Sequence, residues 1–454
     1  MSLDLDDIQG NILRGYRMNK VRHLALAFGN SSGARSLIGL MVNGKSDQAP
    51  QITSARTWNE IPEYCLNLGI TQSGMRMLGL SEAVMELFPH AFLRGPAANA
   101  AALGDDGPSS PDNWLIGGKQ NPTVDAIVSL YTNGDSQTRL TAWLTSIFSA
   151  HSVQVVLQHD GIAMADDRIH FNFRDSISQP HVAGAPGKDI PDMQPESSTG
   201  EFLLGKDYLN QFSGNFADDL PRQIVDNGTY GAFRILKQEV FEFEEFIRSS
   251  GEKYHMCPEL VAAKMVGRWR SGTPLVKAPL TDRSLADEEL NNFDYAPTVE
   301  HSEYFDDADG FRCPVGSHMR RMNPRSALVM GKPHTRRIIR RNFPYGPPIS
   351  ADSPPDDIER GLIGFFICGD LEMQFEFLQK VWANMDIATA GIRGTKDPIT
   401  GAQPEHGGQF VIRTQDRNDP VIFDEVPRLV ITRGSVYCFI PSISSMKYLS
   451  GASG

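Results

Sequence analysis

The sequence predicts a protein of mixed helices and strands, of the α/β or α+β class, organised in two domains. The chain has 454 residues, of which 40% are apolar and 22% charged, which is more material than one small core needs. Short strand-like apolar runs alternate with amphipathic helical stretches in the first 180 residues. A segment rich in Gly and Pro then precedes a second set of strands and helices. This composition excludes disordered and fibrous proteins.

The elements of the first half come from apolar periodicity. The patterns predict strands at residues 21–28, 126–131 and 153–158, and helices at residues 81–88 and 137–148. Residues 182–200 have no periodicity and contain many Gly and Pro residues, which is typical of a linker. We therefore place a domain boundary here, with an N-terminal domain at residues 1–195 and a C-terminal domain at residues 196–454.

The second half begins with a predicted strand at residues 228–236 and a helix at residues 238–248, and its last strand spans residues 428–440. No fixed-period repeat relates the two halves. We expect at most two similar folds that share no sequence repeat.

Composition also limits location and partners. The longest apolar run, residues 361–368, is far shorter than the roughly 18 residues that a bilayer span needs, and residues 1–9 are acidic. The net charge of −12 disfavours nucleic acid as a partner of the whole surface. The five cysteines form no CxxC pair, which favours reduced thiols. We expect a cytoplasmic protein with no membrane or nucleic-acid partner, compatible with a homo-oligomer.

Charge is segregated along the second half. Residues 282–309 hold ten acidic residues and one basic residue, whereas residues 312–341 hold nine Lys or Arg and no acid. The acidic run reads as a solvated loop. The basic run is either a solvated face opposite that loop or a site for an anion. It lacks interleaved aromatic residues, so a small dianion fits better than nucleic acid.

His318 lies inside this basic, acid-free run. A neutral imidazole that ligates iron, with arginines nearby to hold two propionates, would explain both the histidine and the charge. The predicted dianion is therefore haem, bound non-covalently because the chain has no CxxCH motif. Cys313 is either an alternative thiolate ligand or a packed thiol.

Residues 39–46, GLMVNGKS, formally match the GxxxxGK[ST] phosphate-binding loop. The interior of the match is bulky, and Pro50 follows where a long helix should run. We expect a strand end and a turn here instead of a nucleotide site, so a nucleotide hydrolase is only a minor alternative.

Several ordered motifs make the chain resemble the dye-decolourising peroxidases, and among them the longer bacterial branch called type C. The matching stretches are DIQGNILRGY (7–16), HFNFRDSISQP (170–180), GRWRSGTP (267–274), RCPVGSH (312–318), IRRNFPYG (339–346), RGL (360–362) and DLEMQFEF (370–377). The resemblance implies an α+β fold of two ferredoxin-like domains, of the dimeric α+β barrel type. It also implies an enzyme that holds haem b mainly in the C-terminal half, reduces hydrogen peroxide and oxidises dyes and phenolics.

Site residues follow from the same resemblance. It implies that His318 is the proximal iron ligand, Asp175 the distal acid and Arg340 the distal arginine. Arg325 resembles an arginine that pairs with a haem propionate, and two polar residues are assigned to the haem site with it, namely Asn342 and Gln179. The carboxylate partner of the imidazole stays open between Glu376 and Asp370, and Asp370 is also a plausible helix N-cap.

The implied mechanism needs one group that takes a proton from peroxide and returns it to the leaving oxygen, and a fixed cation for the developing charge. Asp175 and Arg340 suit these roles. Aspartate carboxyl groups ordinarily titrate near pH 4, well below histidine, so we expect turnover to persist in acid.

The chain departs from the family pattern at two positions, because Asn172 and Ser176 stand where the family has glycines that permit positive φ. These two substitutions leave three alternatives open. The side chain of Asp175 points in a different direction, the peroxide channel is narrower, or the protein binds or stores haem without catalysis.

Overall fold

A computed structural model describes residues 3–187, 193–206, 219–297, 306–326, 333–349, 353–386, 392–414 and 420–451. Within these ranges, eight antiparallel strands form one sheet in the order β4-β1-β3-β2-β10-β5-β7-β6, and β8 and β9 form a separate ribbon. The strands are β1 Lys20–Phe28, β2 Tyr64–Ile70, β3 Ala126–Thr132, β4 Val153–Ile162, β5 Thr229–Gln238, β6 Ile339–Tyr345, β7 Gly361–Cys368, β8 Gly408–Ile412, β9 Val421–Val426 and β10 Val430–Ile440.

Helices cover the sheet and fill its connections. The α-helices are α1 Gly10–Leu13, α2 Ser31–Asn43, α3 Gln72–Met77, α4 Glu82–Met85, α5 His90–Arg94, α6 Ala100–Leu103, α7 Ser136–Ala150, α8 Arg222–Val225, α9 Val240–Lys253, α10 Pro258–Val266, α11 Asp287–Leu290, α12 His318–Met322 and α13 Ile443–Leu449. Two π-helical segments, Leu371–Glu376 and Leu378–Ala383, follow β7.

The two halves of the sheet repeat one topology. In the first half, α2 connects β1 to β2 and α7 connects β3 to β4, with strand order β4-β1-β3-β2. The second half has strand order β10-β5-β7-β6, with α9 after β5 and the π-helical segments after β7. If each half is numbered separately, both orders read 4-1-3-2. The predicted α+β class with two ferredoxin-like halves is therefore confirmed. The boundary at residue 195 falls between β4 and β5 and stays a prediction.

Helix α2 overturns the expectation for residues 39–46. Asn30 caps the helix by accepting a hydrogen bond from the Gly33 amide. Leu37, Ile38 and Met41 form its buried face, and Gly44 closes its last turn. Residues 39–43 are thus the C-terminal end of a helix and not a strand end. Phosphate loops precede a helix N-terminus, where amides point outward, so this stretch is not a phosphate site.

The sheet curls so that its edge strands β4 and β6 lie against each other. At this seam Gly161 packs directly on Phe343, and a Cβ atom at position 161 would lie 2.5 Å from the Cβ of Phe343. Apolar residues from both halves fill the interior of the resulting barrel, among them Ile127, Phe233 and Phe365. The N-terminal helices pack on the outer face of the first half.

The basic run is largely buried, whereas the acidic run is mixed: two of its aspartates are buried, and its exposed acids among the described residues are Asp282, Asp287, Glu288, Glu289 and Asp306. Asp307 is buried, and it accepts a hydrogen bond from Arg320 at 3.1 Å, with both side chains at most 1% exposed. Asp294 is also buried and binds Ser326. The expectation of a solvated acidic loop is therefore wrong for these residues. Ion pairs across the two runs neutralise part of the buried positive charge.

A histidine lies in the apolar barrel interior. The imidazole of His23, on β1, bonds Ser129 Oγ through Nδ1 at 2.9 Å. The rings of Phe233 and Phe365, from the second half, lie 5.0 and 6.4 Å from it. Burial, and to a smaller extent His159, lowers the pKa of His23 to about 3.

We expect His23→Phe to reduce the loss of stability in acid. An unfolded histidine binds a proton below about pH 6.5 while folded His23 does not, so folding loses up to about 1.4 kcal/mol per pH unit from about pH 6.5 towards pH 3. Urea unfolding midpoints measured from pH 7 to pH 4 should therefore fall less steeply in the variant. Exposed His406→Phe is the control and should keep the wild-type slope. Parallel curves for wild type and His23→Phe would contradict this account.

Candidate active site

The outer face of the C-terminal half-sheet forms one wall of a cavity of about 270 Å³. Strand register brings the wall residues together, because Leu236 on β5 lies opposite both Leu362 on β7 and Thr432 on β10. Arg340 on β6 lies opposite Phe366 on β7. The remaining walls come from α12, the π-helical segments and the loop at residues 169–178.

The cavity is largely apolar but carries an excess of positive charge. Six arginines and two aspartates line it, in addition to His318, and they are Arg174, Arg234, Arg268, Arg337, Arg340, Arg428, Asp105 and Asp175. Arg234 and Asp105 form a buried bidentate pair at 2.7 and 2.9 Å, which ties the segment after α6 to the C-terminal half-sheet. Removal of either side chain of this pair would leave an uncompensated buried charge, which typically costs about 3–5 kcal/mol of stability.

His318 is the first residue of α12 and lines this cavity. Its Nδ1 bonds the Asp397 carboxylate at 2.9 Å, and Asp397 is fully buried. The other carboxylate oxygen of Asp397 accepts hydrogen bonds from the amides of Ile399 and Thr400. Burial raises the pKa of Asp397, but His318 and the hydrogen bonds from the backbone amides lower it more. The pKa of Asp397 therefore falls below the usual range. A carboxylate fixed in this way holds the imidazole so that Nε2 is left for a ligand.

The predicted partners of this imidazole are wrong. The Glu376 carboxylate instead accepts hydrogen bonds from Tyr437, Asn99 and Lys380. Asp370 caps the first π-helical segment through the amides of Glu372 and Met373, which confirms its alternative role as an N-cap. Asp397, 79 residues after His318, gives no periodic or motif signal in the sequence and was missed.

Asp175 and Arg340 meet at the cavity. Their Oδ1 and Nη2 atoms lie 3.3 Å apart, and each side chain is about one third exposed, at 36% and 30%. The neighbouring Arg174 instead forms a bidentate pair with Asp287. The partner of Asp175 is therefore Arg340 and not its neighbour in the sequence.

Three of the predicted haem-site residues do not line the cavity. The Arg325 guanidinium is buried and bonds the carbonyl oxygens of Phe293 and Asn291 and the side chain of Asn291. Gln179 bonds the backbone of Arg340. The side-chain carboxamide of Asn342 is buried, and neither its Nδ2 nor its Oδ1 has a hydrogen-bond partner among the described residues.

Two further arginines of the cavity wall, Arg268 and Arg337, have no close carboxylate partner within the described part of the chain. The Arg268 guanidinium nevertheless donates to the carbonyl oxygens of Gly272 and Leu290. Burial lowers the pKa of Arg268 to about 9 and that of Arg337 to about 10. Buried cations need an anion, so this wall of the cavity is suited to a ligand with two negative charges. The basic run contained Arg337, but no local pattern distinguished it from its neighbours.

Cys313 is a packed thiol and not a ligand at this cavity. Its Sγ atom lies near Ser317 Oγ and the Gly267 carbonyl oxygen, and burial raises the pKa of the thiol. Among the residues described here, no group of three or more His, Cys, Asp or Glu side chains could hold a metal ion. No helix of the described ranges has the length and apolar character to cross a bilayer.

The loop that carries Asp175 keeps the backbone conformation expected of the family glycines. Asn172 and Ser176 both have φ of 61°, in the left-handed region. The guanidinium of Arg168 bonds the Asn172 carbonyl oxygen at 2.6 Å, and the Asp175 amide bonds the Asp167 carbonyl oxygen at 2.9 Å. These contacts hold the loop in place although serine adopts this conformation less readily than glycine.

Comparison with known proteins finds similar sequences, although no family model matches the chain. A dye-decolourising peroxidase of Mycena epipterygia is 29% identical over 99% of this chain and 88% of its own length. A multifunctional dye peroxidase of Amycolatopsis is 26% identical over 98% of this chain and 96% of its own length.

Solved structures agree with these relatives. A dye-decolourising peroxidase in complex with 2,6-dimethoxyphenol is 28% identical, with a TM-score of 0.80 over 99% of this chain and all of the other. A fungal peroxidase of this type from Auricularia auricula-judae is 25% identical, with a TM-score of 0.82 over the same shares. The chain is similar to dye-decolourising peroxidases over nearly its whole length, both in sequence and in fold. The assignment to the type C branch stays a prediction.

We expect Ser176→Gly to stabilise the protein. Glycine adopts a positive φ without steric cost, and this gain exceeds the extra freedom of the unfolded chain, so the free energy of unfolding should rise by roughly 0.5–1 kcal/mol. Urea unfolding of the haem-free protein measures the change. Ser178→Gly is the control, because Ser178 has no positive φ and the change should lower stability. An equal or greater loss in Ser176→Gly would show that the serine is not strained.

Proposed function

We propose that this haem-dependent peroxidase holds non-covalent haem b on His318 and reduces hydrogen peroxide with Asp175 and Arg340. The observation that carries the proposal is that a carboxylate-bonded imidazole and a carboxylate–guanidinium pair line one cavity. Phenols and dyes are the proposed electron donors, because a relative of the same fold is a complex with 2,6-dimethoxyphenol.

The residues present fit haem. The apolar wall that includes Leu236, Leu362 and Phe366 suits a porphyrin face. Arg268 and Arg337 supply the two cations that the two propionates would neutralise. Bound haem supplies the iron centre that takes up the oxidising equivalents of peroxide and passes them to the donor.

The His318–Asp397 pair prepares the proximal side. The carboxylate accepts a hydrogen bond from Nδ1–H of His318, which selects the tautomer with a free Nε2 lone pair and increases the basicity of that nitrogen. Because backbone amides fix Asp397, the imidazole keeps its orientation without rearrangement.

Asp175 carries the proton chemistry. Its carboxylate accepts the proton of hydrogen peroxide on one oxygen atom and returns it to the oxygen that leaves as water. An aspartate can perform both steps when it reaches the two oxygen atoms in turn. The partly exposed side chain of Asp175 leaves access for peroxide and for the departing water.

Arg340 supplies a fixed positive charge. The guanidinium lies 3.3 Å from the Asp175 carboxylate, so it faces the place where peroxide exchanges its proton. Negative charge that develops on the peroxide oxygens is stabilised there without reorganisation of solvent. The positive φ at Asn172 and Ser176 keeps Asp175 beside this guanidinium, which favours a catalytic role over a haem-storage role.

Location and assembly stay predictions. The proposed cytoplasmic location is supported by the five free cysteines, four of them buried. A homo-oligomer is compatible with the sequence.

We expect Arg340→Leu to retain haem and lose peroxide reactivity. Removal of a fixed donor from such a site typically lowers turnover by about 100–1000-fold, whereas haem binding depends on other residues. The Soret absorbance measures haem loading, and stopped-flow spectra measure the reaction with peroxide. The control is exposed Arg248→Leu on α9, which should react like the wild type. Normal reactivity of Arg340→Leu would exclude Arg340 from the mechanism.

Two proximal variants should differ in haem binding. We expect His318→Ala to lose the Soret band, because the cavity then lacks its iron ligand. Asp397→Ala should bind haem about 10–100-fold more weakly, because the imidazole loses its orienting partner. Haem titration of the haem-free variants checks both. Wild-type affinity in His318→Ala would refute the proposed ligand.

A further inference from the structure

The side-chain amide of Gln179 makes two hydrogen bonds to one backbone residue. Its Nε2 donates to the Arg340 carbonyl oxygen at 3.2 Å, and its Oε1 accepts from the Arg340 amide at 3.1 Å. The carboxamide thus reproduces the donor and acceptor that a residue of a neighbouring strand would offer. We call this pair of bonds the Gln179 clasp.

The clasp lies where the sheet has no further strand. Within the described residues, β6 pairs with β7 on one side only, and Arg340 stands opposite Phe366. The outward backbone groups of an edge strand have no partner in the strand ladder. Gln179 therefore fixes the strand at the one residue whose side chain reaches Asp175.

The clasp also connects the two catalytic segments. Gln179 follows Asp175 by four residues, and the Arg340 guanidinium bonds the Asp175 carboxylate at 3.3 Å. Two links therefore join the same segments, one through the backbone of Arg340 and one through its side chain. A shift of the Asp175 loop relative to β6 would have to break both.

We propose that Gln179 is a positioning residue for peroxide cleavage, because the clasp sets the separation of the Asp175 carboxylate and the Arg340 guanidinium. The inference rests on the proposed function of that pair. It replaces the haem contact that the sequence suggested for Gln179, since this side chain does not line the cavity.

The chemistry of the clasp allows a sharp test with Gln179→Glu. A protonated glutamic acid has one donor and one acceptor and can restore both bonds, whereas an ionised glutamate has no donor and faces the Arg340 carbonyl oxygen. Glutamic acid side chains ordinarily titrate near pH 4.3. Repulsion from the Arg340 carbonyl oxygen would raise the pKa of the new side chain, whereas the Arg341 guanidinium, which donates to the same oxygen at 3.2 Å, would lower it.

The kcat/KM of the haem-loaded enzyme for hydrogen peroxide is measured from pH 3.5 to pH 7.5, with a phenolic donor at saturation. We expect Gln179→Glu to fall about 10–100-fold below the wild type near neutral pH and to approach it at the acid end. Gln179→Leu should stay low throughout, with a ratio to wild type that does not change with pH. Gln154→Glu is the matched control, because Gln154 is an exposed residue of β4, and this variant should follow the wild type.

A second readout needs no haem. Amide hydrogen exchange of a peptide that contains Arg340, in the haem-free protein, should be faster in Gln179→Leu than in the wild type, while the peptide of β3 remains unchanged. Wild-type exchange together with wild-type kcat/KM in Gln179→Leu would overturn the inference. Equal losses in the Glu and Leu variants at every pH would also overturn it, since the hydrogen bonds would then not matter.

Failure of the proposed function and failure of the positioning role give different results. A wild-type protein that binds haem but does not react with peroxide refutes the proposed function, and the positioning role falls with it. An active wild type with unaffected Gln179 variants refutes the positioning role alone.

Discussion

The packing of edge strand β4 against edge strand β6 is the constraint on which the active site depends. The loop that follows β4 carries Asp175, and β6 carries Arg340, so the two residues meet only because the sheet closes at this seam. Gly161 permits the close approach, because any side chain at this position would collide with Phe343. Neither half of the chain alone holds the pair. A change at the seam is therefore a change in the geometry of the proposed chemistry, even when it lies outside the cavity.

Burial of positive charge is the second organising feature. Arg320, Arg321 and Arg325 are almost fully buried, yet each is surrounded by backbone carbonyl oxygens or by a carboxylate. These arginines hold loops together around α12 and are not available to a ligand. Arg268 and Arg337 differ because they line the cavity, although the Arg268 guanidinium also donates to the carbonyl oxygens of Gly272 and Leu290. Position, and not the density of arginine in the sequence, decides which guanidinium can serve an anion.

Local patterns in the sequence were sufficient for much of the fold and for part of the site. Apolar periodicity located β1, β3, β4 and α7 to within a few residues, because each buries one regular face. It failed for residues 39–46, where a motif match obscured the end of a helix. The identical strand order of the two halves lies in non-local pairing and leaves no repeat to detect. His318, Asp175 and Arg340 lie in motifs, whereas Asp397 reaches His318 only through folding and is one aspartate among many in the sequence.

His23, inside the barrel, makes the stability of the fold depend on the pH at which the enzyme would work. The proposed carboxylate base would allow turnover in acid, but the interior that surrounds His23 excludes a proton that the unfolded chain accepts. Acid therefore shifts the equilibrium away from the folded state while the chemistry still runs. The operational lifetime of the catalyst, and not its rate per turnover, would then set the lower end of its useful pH range. Replacement of His23 by a residue that cannot ionise would extend that lifetime without any change at the proposed iron site.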